Sequence, residues 1–349
     1  MVIQKELLVK KLNYLGMAIS RDPEAKIYTK LIRFQNTGDK VYAYTFDGIN
    51  SVKVEIGTID AGSSFYAVVE YTLFNNFIKS CEGDIKLETK DKFMHIKASN
   101  VKCKIPVYNK KNDGNFNIPD PENDYPYDRN VTETIDLGII KSILNIKHVV
   151  PIYRNIFFGD YIMVSDTDNV LKIEKKIFDH DILLSISSVE ILNAITNIRY
   201  NFVKEDNVVK LCITSDELSA KIITIKDENS DFQYEDFNQL YNEVSGAVVT
   251  IDASTLSKAM SASQLFNVVP KIVFNKKGIF VQIDNNDFIY KISDTACDED
   301  RAYEFPPDLA RKLCTMGSEL TVYYTNSDLL RCDVGNVSEI LSIKEIKNE

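Results

Sequence analysis

Apolar residues recur three or four positions apart in six short windows of the chain, the spacing that lines one face of an α-helix. The windows open near Lys5, Leu73, Asp136, Ser188, Ala253 and Pro306. Their apolar faces include Leu8/Leu12/Leu15, Ile139/Ile143, Ile191/Ile195, Leu256/Met260 and Leu309/Leu313. Start signals agree: Asp136 and Asp252 are placed to cap, Ser187-Ser188-Val189-Glu190 offers a capping box, and Pro306-Pro307 suits a first helical turn. Between the helices, alternating positions predict strands in pairs. Val41–Phe46 and Ser51–Ile56 flank the turn Asp47-Gly48, and Ile85–Thr89 and Phe93–Ala98 flank Lys90-Asp91-Lys92. Further pairs are Val208–Thr214 with Ser219–Ile225, Lys271–Asn275 with Ile279–Ile283, and Thr321–Tyr324 with Leu329–Val334.

The helix starts are 52 to 68 residues apart, nearly a period, so one short helix with three or four antiparallel strands occurs six times. One such unit is too small to bury both faces of its sheet and helix. Two units sharing a sheet make a domain of about 100–120 residues. Two segments break the pattern. Asn109–Asn130 is rich in Pro, Asn, Asp and Tyr, and Asp227–Gly246 is acidic with the aromatics Phe232, Tyr234, Phe237 and Tyr241. Both read as extended connectors laid over a surface. The expected plan is α+β: three domains, each of two β-α-β-β-β half-repeats, with the helices on one face of antiparallel sheets. Their bounds are 1–110, 131–228 and 247–349, joined by linkers 111–130 and 229–246.

Composition fits a globular chain of 349 residues, 44% apolar and 26% charged. No apolar run has the length of a membrane span, and Lys5, Glu6, Lys10 and Lys11 interrupt the N-terminal pattern that a signal peptide needs. The six cysteines lie far apart without a CxxC pair, which suits reduced thiols in a cytoplasm. The net charge of −10 argues, taken whole, against nucleic acid. Its placement changes that picture. The charges assigned to the six helices (Lys5, Glu6, Lys10, Lys11, Lys79, Lys141, Lys147, Glu190, Arg199, Lys258, Asp308, Arg311 and Lys312) total +7, which leaves −17 for sheets and loops. Sparse cations among Asn, Ser and Gln suit loose phosphate contact that reads no base sequence.

Candidate catalytic chemistry is thin. The chain has no phosphate-binding glycine loop, nucleophile elbow or metalloprotease motif. The three histidines are scattered, and His95 alternates within a strand-like run. Asp166-Thr167-Asp168 and Asp298-Glu299-Asp300 read as turns rather than cation sites. A non-enzyme with no metal and no cofactor is expected.

The order and spacing of several segments resemble the bacterial-type β subunit of DNA polymerase III, the sliding clamp. Val41-Tyr42-Ala43-Tyr44-Thr45-Phe46-Asp47-Gly48 is similar to a strand and turn of that family's first domain. Lys102-Cys103-Lys104-Ile105-Pro106 resembles its basic strand. Phe157-Phe158-Gly159-Asp160-Tyr161-Ile162-Met163-Val164-Ser165-Asp166 resembles a second-domain strand, and Asp231-Phe232-Gln233-Tyr234 resembles the second connector.

The resemblance implies a head-to-tail homodimeric ring, helices lining the hole, that encircles double-stranded DNA and tethers a DNA polymerase after a clamp loader has opened it. DNA-facing guides would be Lys10, Lys11, Arg21, Lys79, Lys141, Lys147, Arg199, Lys258, Arg311 and Lys312. The subunit interface would use Leu265 and Phe266, with Lys102 and Lys104 facing Asp284 and Asp287; simple core packing is the alternative for Leu265-Phe266. A partner-peptide pocket would draw on Tyr153, Ser165, Leu171, Gln233, Leu240, Leu341 and Ile343. Here the chain departs from the family: Thr167-Asp168-Asn169-Val170 carries an extra residue, Gln233 replaces a proline, and Ser342-Ile343-Lys344-Glu345 replaces the family's C-terminal run. Such divergence suits a phage or other mobile replicon, and the cytoplasm of a bacterium or an infected host. The competing classes are a non-ring interaction scaffold that keeps the fold, and a hydrolase using an acidic cluster.

Overall fold

The computed structural model describes residues 1–108, 118–121, 127–131, 135, 137–143, 155–165, 169–205, 208–224, 234–244, 246–283, 287–298, 300–324 and 329–342. Among these, no helix is long and apolar enough to cross a membrane. In chain order the first elements are β1 (Val2–Gln4), α1 (Lys5–Gly16), β2 (Leu31–Thr37), β3 (Lys40–Phe46), β4 (Asn50–Thr58) and β5 (Tyr66–Glu70). They are followed by α2 (Tyr71–Ser80), β6 (Asp84–Lys90), β7 (Phe93–Lys97), β8 (Lys102–Pro106) and β9 (Arg129–Asn130). The middle of the chain forms α3 (Leu137–Ile143), β10 (Asn155–Phe158), β11 (Ile162–Ser165), β12 (Asn169–Ile173) and β13 (Ile182–Ser185). Next come α4 (Ile186–Asn193), β14 (Arg199–Glu205), β15 (Val208–Thr214), β16 (Ser219–Ile223) and α5 (Tyr234–Glu243). The last elements are β17 (Ala247–Asp252), α6 (Ala253–Ser263), β18 (Lys271–Asn275), β19 (Gly278–Ile283), β20 (Phe288–Ser293) and β21 (Arg301–Glu304). α7 (Pro307–Cys314), β22 (Glu319–Tyr324), β23 (Leu329–Val334) and β24 (Val337–Ser342) complete the order.

Contacts divide the chain into two compact units: Met1–Thr134 with Ser187–Lys226, and Ile135–Ile186 with Asp227–Glu349. Among the described residues, each unit holds one eight-stranded and one four-stranded antiparallel sheet. In the first unit the orders are β5-β2-β3-β4-β16-β15-β14-β9 and β1-β6-β7-β8. In the second they are β13-β10-β11-β12-β24-β23-β22-β17 and β20-β19-β18-β21. The long sheets form because strands distant in sequence meet at their centres. Ser51 pairs with Lys221 across β4 and β16, and Leu171 with Glu339 across β12 and β24.

The helices lie on these sheets as the apolar spacing predicts. α1 buries Leu8, Leu12 and Leu15 completely and packs on β3, β4 and α2. Each such leucine contributes about 1.5–3 kcal/mol relative to exposure. Tyr71, at the start of α2, donates its hydroxyl to the Leu12 carbonyl at 2.8 Å and passes over Gly16. In the second unit α6 packs on β17, β19 and β20 and against α7. Asp252 caps α6, accepting from the Thr255 N–H at 2.7 Å, and Pro307 opens α7. Asp136 lies outside the described residues.

Three expectations are corrected. Tyr234–Glu243 is a helix, not an extended connector, because Tyr234, Phe237 and Tyr241 recur at helical spacing. Ser187 and Ser188 sit inside α4 instead of capping it. Asn50, fully buried at the head of β4, takes them both: its amide nitrogen donates to Ser187 Oγ at 3.0 Å, and its amide oxygen accepts from Ser188 Oγ at 2.7 Å. Arg199 opens β14 and belongs to no helix. The first connector does lie over a surface where it is described: Ile118 is buried among Leu31, Tyr44 and Val68.

Candidate nucleic-acid interface and docking surfaces

The cations that the sequence assigns to DNA occupy several environments. Lys79, Lys141 and Lys258 are exposed on α2, α3 and α6, Lys312 is half-buried on α7, and Arg21 is exposed after α1. Lys147 lies outside the described residues. Lys10, Lys11 and Arg311 make contacts within the chain. Lys10 donates to Glu217 at 2.6 Å, which raises the lysine pKa and lowers that of the carboxyl. Lys11 donates to the Ile56 carbonyl at 3.2 Å, and burial depresses its pKa. Arg311 is ion-paired to Asp308 one turn earlier on α7. By helix, α1 carries +2, α2, α3, α6 and α7 carry +1 each, and α4 carries −1. Of the cations the sequence puts on helices, Arg199 belongs to a strand instead, and the added α5 is acidic.

The residues assigned to a subunit interface stand at sheet edges or in the open. β8 is the edge of its four-stranded sheet, with Lys102 and Lys104 exposed on it. In the other unit β20 is an edge strand; Asp287 before it is exposed, and Asp284 lies outside the described residues. Leu265 and Phe266 follow α6 in a short 3-10 turn that Asn267 closes in the left-handed region at φ 54°. Leu265 is 83% exposed and Phe266 43%, so simple core packing does not explain the pair. Phe266 meets the Phe288 ring at 5.5 Å between centroids, Val268 and Val269 after the turn are exposed too, and Ile289 is exposed on the opposite face of β20.

The residues assigned to a peptide pocket divide between two faces of one sheet. Ser165 opposes Val170 across β11 and β12, and Val170 joins Met163, Tyr241 and Val244 in a cluster against which Leu240 packs. Leu171 points to the other face by strand alternation and is fully buried. Leu341 pairs with Asn169 in β24, while Tyr153, Gln233 and Ile343 lie outside the described residues.

The sequence reading misses what holds α5 to this face. The Tyr241 hydroxyl lies 2.8 Å from the Val170 carbonyl and 3.0 Å from that of Ser338. Arg331 donates to the Tyr241 carbonyl at 2.8 Å, grips Asp333 with a second nitrogen pair, and lies 4.6 Å from the Tyr323 ring. Lys172 stands 4.9 Å from the Tyr161 ring and 5.5 Å from that of Tyr241. The first unit repeats the device. Arg33 lies 4.2 Å from the Tyr44 ring, and Lys53 lies 4.5 Å from Tyr42 and ion-pairs with Asp120 at 3.6 Å. The available signal was the alternation Tyr42-x-Tyr44 on a strand whose other face is apolar.

Paired sheets, short helices on their faces and this repeated plan define a DNA-clamp fold. The solved structures it resembles are DNA polymerase III β chains. The β chain of Streptococcus pneumoniae TIGR4 matches with a TM-score of 0.75 at 12% identity, covering 99% of both chains. The β clamp of Helicobacter pylori bound to a DNA ligase peptide gives 0.76 at 12%, and the β subunit of Thermotoga maritima also 0.76 at 12%, each over 99% of both chains. No protein-family model and no curated protein matches the sequence. The likeness is one of fold, carried through the whole length of the chain.

Proposed function

We propose that this protein is a DNA sliding clamp: a non-enzymatic, head-to-tail homodimeric ring of three-domain subunits that encircles duplex DNA and holds a DNA polymerase on it. The observation that carries the reading is the fold match to β clamps over 99% of both chains. The three domains are those bounded at 1–110, 131–228 and 247–349, and a clamp loader opens the ring. Exposed Lys79, Lys141 and Lys258, with Arg21, guide DNA by charge alone, since none sits in an Arg-dense, base-reading helix. Leu265, Phe266 and the β20 edge meet β8 of a second copy, covering two edges per joint. The face that carries α5 receives peptide segments of partners, as the Helicobacter clamp receives one of DNA ligase.

Retention on DNA of different topology tests the reading. Loaded onto closed circular DNA, the protein is expected to remain bound at salt that strips ordinary binders, and to be lost when the circle is cut. Equal retention on circular and linear DNA overturns it. The neutralised Lys10 and Arg311 favour one second reading, a non-ring scaffold, which predicts no topological dependence at all.

A further inference from the structure

Glu217 places its carboxylate against Lys10 of α1. It sits at the tip of the hairpin between β15 and β16, where Ser215 shapes the turn. Ser215 Oγ accepts from the N–H groups of Glu217 and Leu218 at 3.2 Å each, and the Ser215 N–H donates to the Leu218 carbonyl at 2.9 Å. β16 fixes the hairpin by pairing with β4, on which α1 packs. The Glu217 carboxylate is thereby delivered to Lys10 at 2.6 Å, and the lysine lowers its pKa. Lys10 also lies 5.8 Å from the ring of Tyr14, one turn further along α1.

We propose that Glu217 is a built-in competitor for DNA: it neutralises Lys10 until a phosphate displaces it, and so loosens the grip of α1 on the duplex. The proposal rests on the sliding-clamp reading. Its physical basis is the difference between a contact and a net gain. A cation that binds phosphate releases a condensed counterion from DNA, and this release drives non-specific affinity. A lysine already paired to a carboxylate offers no net charge to the duplex. The pair is exposed enough to exchange, with 55% of the lysine side chain and 39% of the glutamate side chain open to water. A ring that is meant to move gains by holding DNA weakly and by position.

Fluorescence anisotropy with a short linear duplex, titrated at several salt concentrations, tests this on the full chain. Glu217→Gln and Glu217→Ala are expected to bind roughly three- to tenfold more tightly at low salt, with a salt slope steeper by about 0.9, one added phosphate contact. Adding Lys10→Ala to either variant should cancel the gain. Lys79→Ala and Lys258→Ala are measured beside them as reporters of helical DNA contact. If those two weaken binding while both Glu217 variants keep the original affinity and slope, the competitor role is overturned and the clamp reading stands. Binding that none of the lysine or Glu217 substitutions changes, or no binding at all, overturns the competitor role, while the clamp reading is decided separately by retention on closed circles.

Discussion

Asn50 shows how a single polar residue can join segments far apart in sequence. Its side chain has no exposure, yet both ends are satisfied: by Asp47 at 2.8 Å in its own turn, and by Ser187 and Ser188 from α4. Asp47 also accepts from the N–H groups of Ile49 and Asn50, which sets the turn, and Gly48 supplies the φ of 107° that it needs. Asn50→Ala removes three hydrogen bonds from a fully buried side chain, so a loss of about 1–3 kcal/mol is expected in guanidinium unfolding followed by circular dichroism. Tyr71 offers a second residue-scale test. Burial pushes its phenol up to about 12 from the ordinary 10.0. The unfolded chain then loses this proton before the folded one does. The associated stability is complete below pH 10.0 and falls as pH rises toward 12. Tyr71→Phe should lose about 1 kcal/mol at neutral pH, the net worth of its hydrogen bond, and show a shallower alkaline decline than the parent in pH-dependent thermal scans.

At the scale of elements, the six helices with a continuous apolar face were legible in the sequence, because the stripe that packs α1 or α6 is local and periodic. The strands flanking Asp47-Gly48 and Lys276-Lys277-Gly278 were legible for the same reason. The sheet centres were not, since nothing near Ser51 names Lys221 as its partner. Ser187 and Ser188 looked like a cap because local sequence cannot reveal a distant Asn50. α5 was read as a coil because its acidic, polar composition masked the spacing of its aromatics. Of the candidate site, exposure of Leu265 and Phe266 was within reach, whereas the pairing of Lys10 depends on a turn 207 residues away. The packing of α1 against α2 gives an element-scale prediction. A methyl group on Gly16 would stand 2.3 Å from the Tyr71 hydroxyl oxygen, which is held by its hydrogen bond. Gly16→Ala is expected to destabilise by about 2 kcal/mol, and less in the Tyr71→Phe background, a coupling that a double-mutant cycle detects. α5 gives another. Its Tyr241 ring and hydroxyl anchor it over β12 and β24, and truncating a buried aromatic costs about 3–5 kcal/mol, more than a ten-residue helix supplies by itself. Tyr241→Ala should therefore leave the sheets intact by circular dichroism while limited proteolysis begins cutting within 234–244.

For the whole molecule, the decisive quantity is what the exposed apolar turn meets. Leu265, Phe266, Val268 and Val269 are exposed apolar residues on the turn beside the edge strand β20, and exposed apolar residues beside an open edge mark a surface for a partner. In the ring reading a second copy covers it with β8, whose Lys102 and Lys104 bring charge to the acidic approach to β20 at Asp287. Closed two-fold assembly uses every such surface, whereas an open chain of copies would leave ends. Light scattering is expected to give twice the chain mass of 39.8 kDa at micromolar concentration. Leu265→Asp should reduce it to one chain mass, because the interface would then bury a carboxylate without a partner. The same substitution is silent for folding, since the residue is 83% exposed in the single chain and its turn is held by backbone bonds. A double-mass species unaffected by Leu265→Asp would place the joint elsewhere. A single-mass parent would remove the ring, and with it the reason for a lining that holds DNA so lightly.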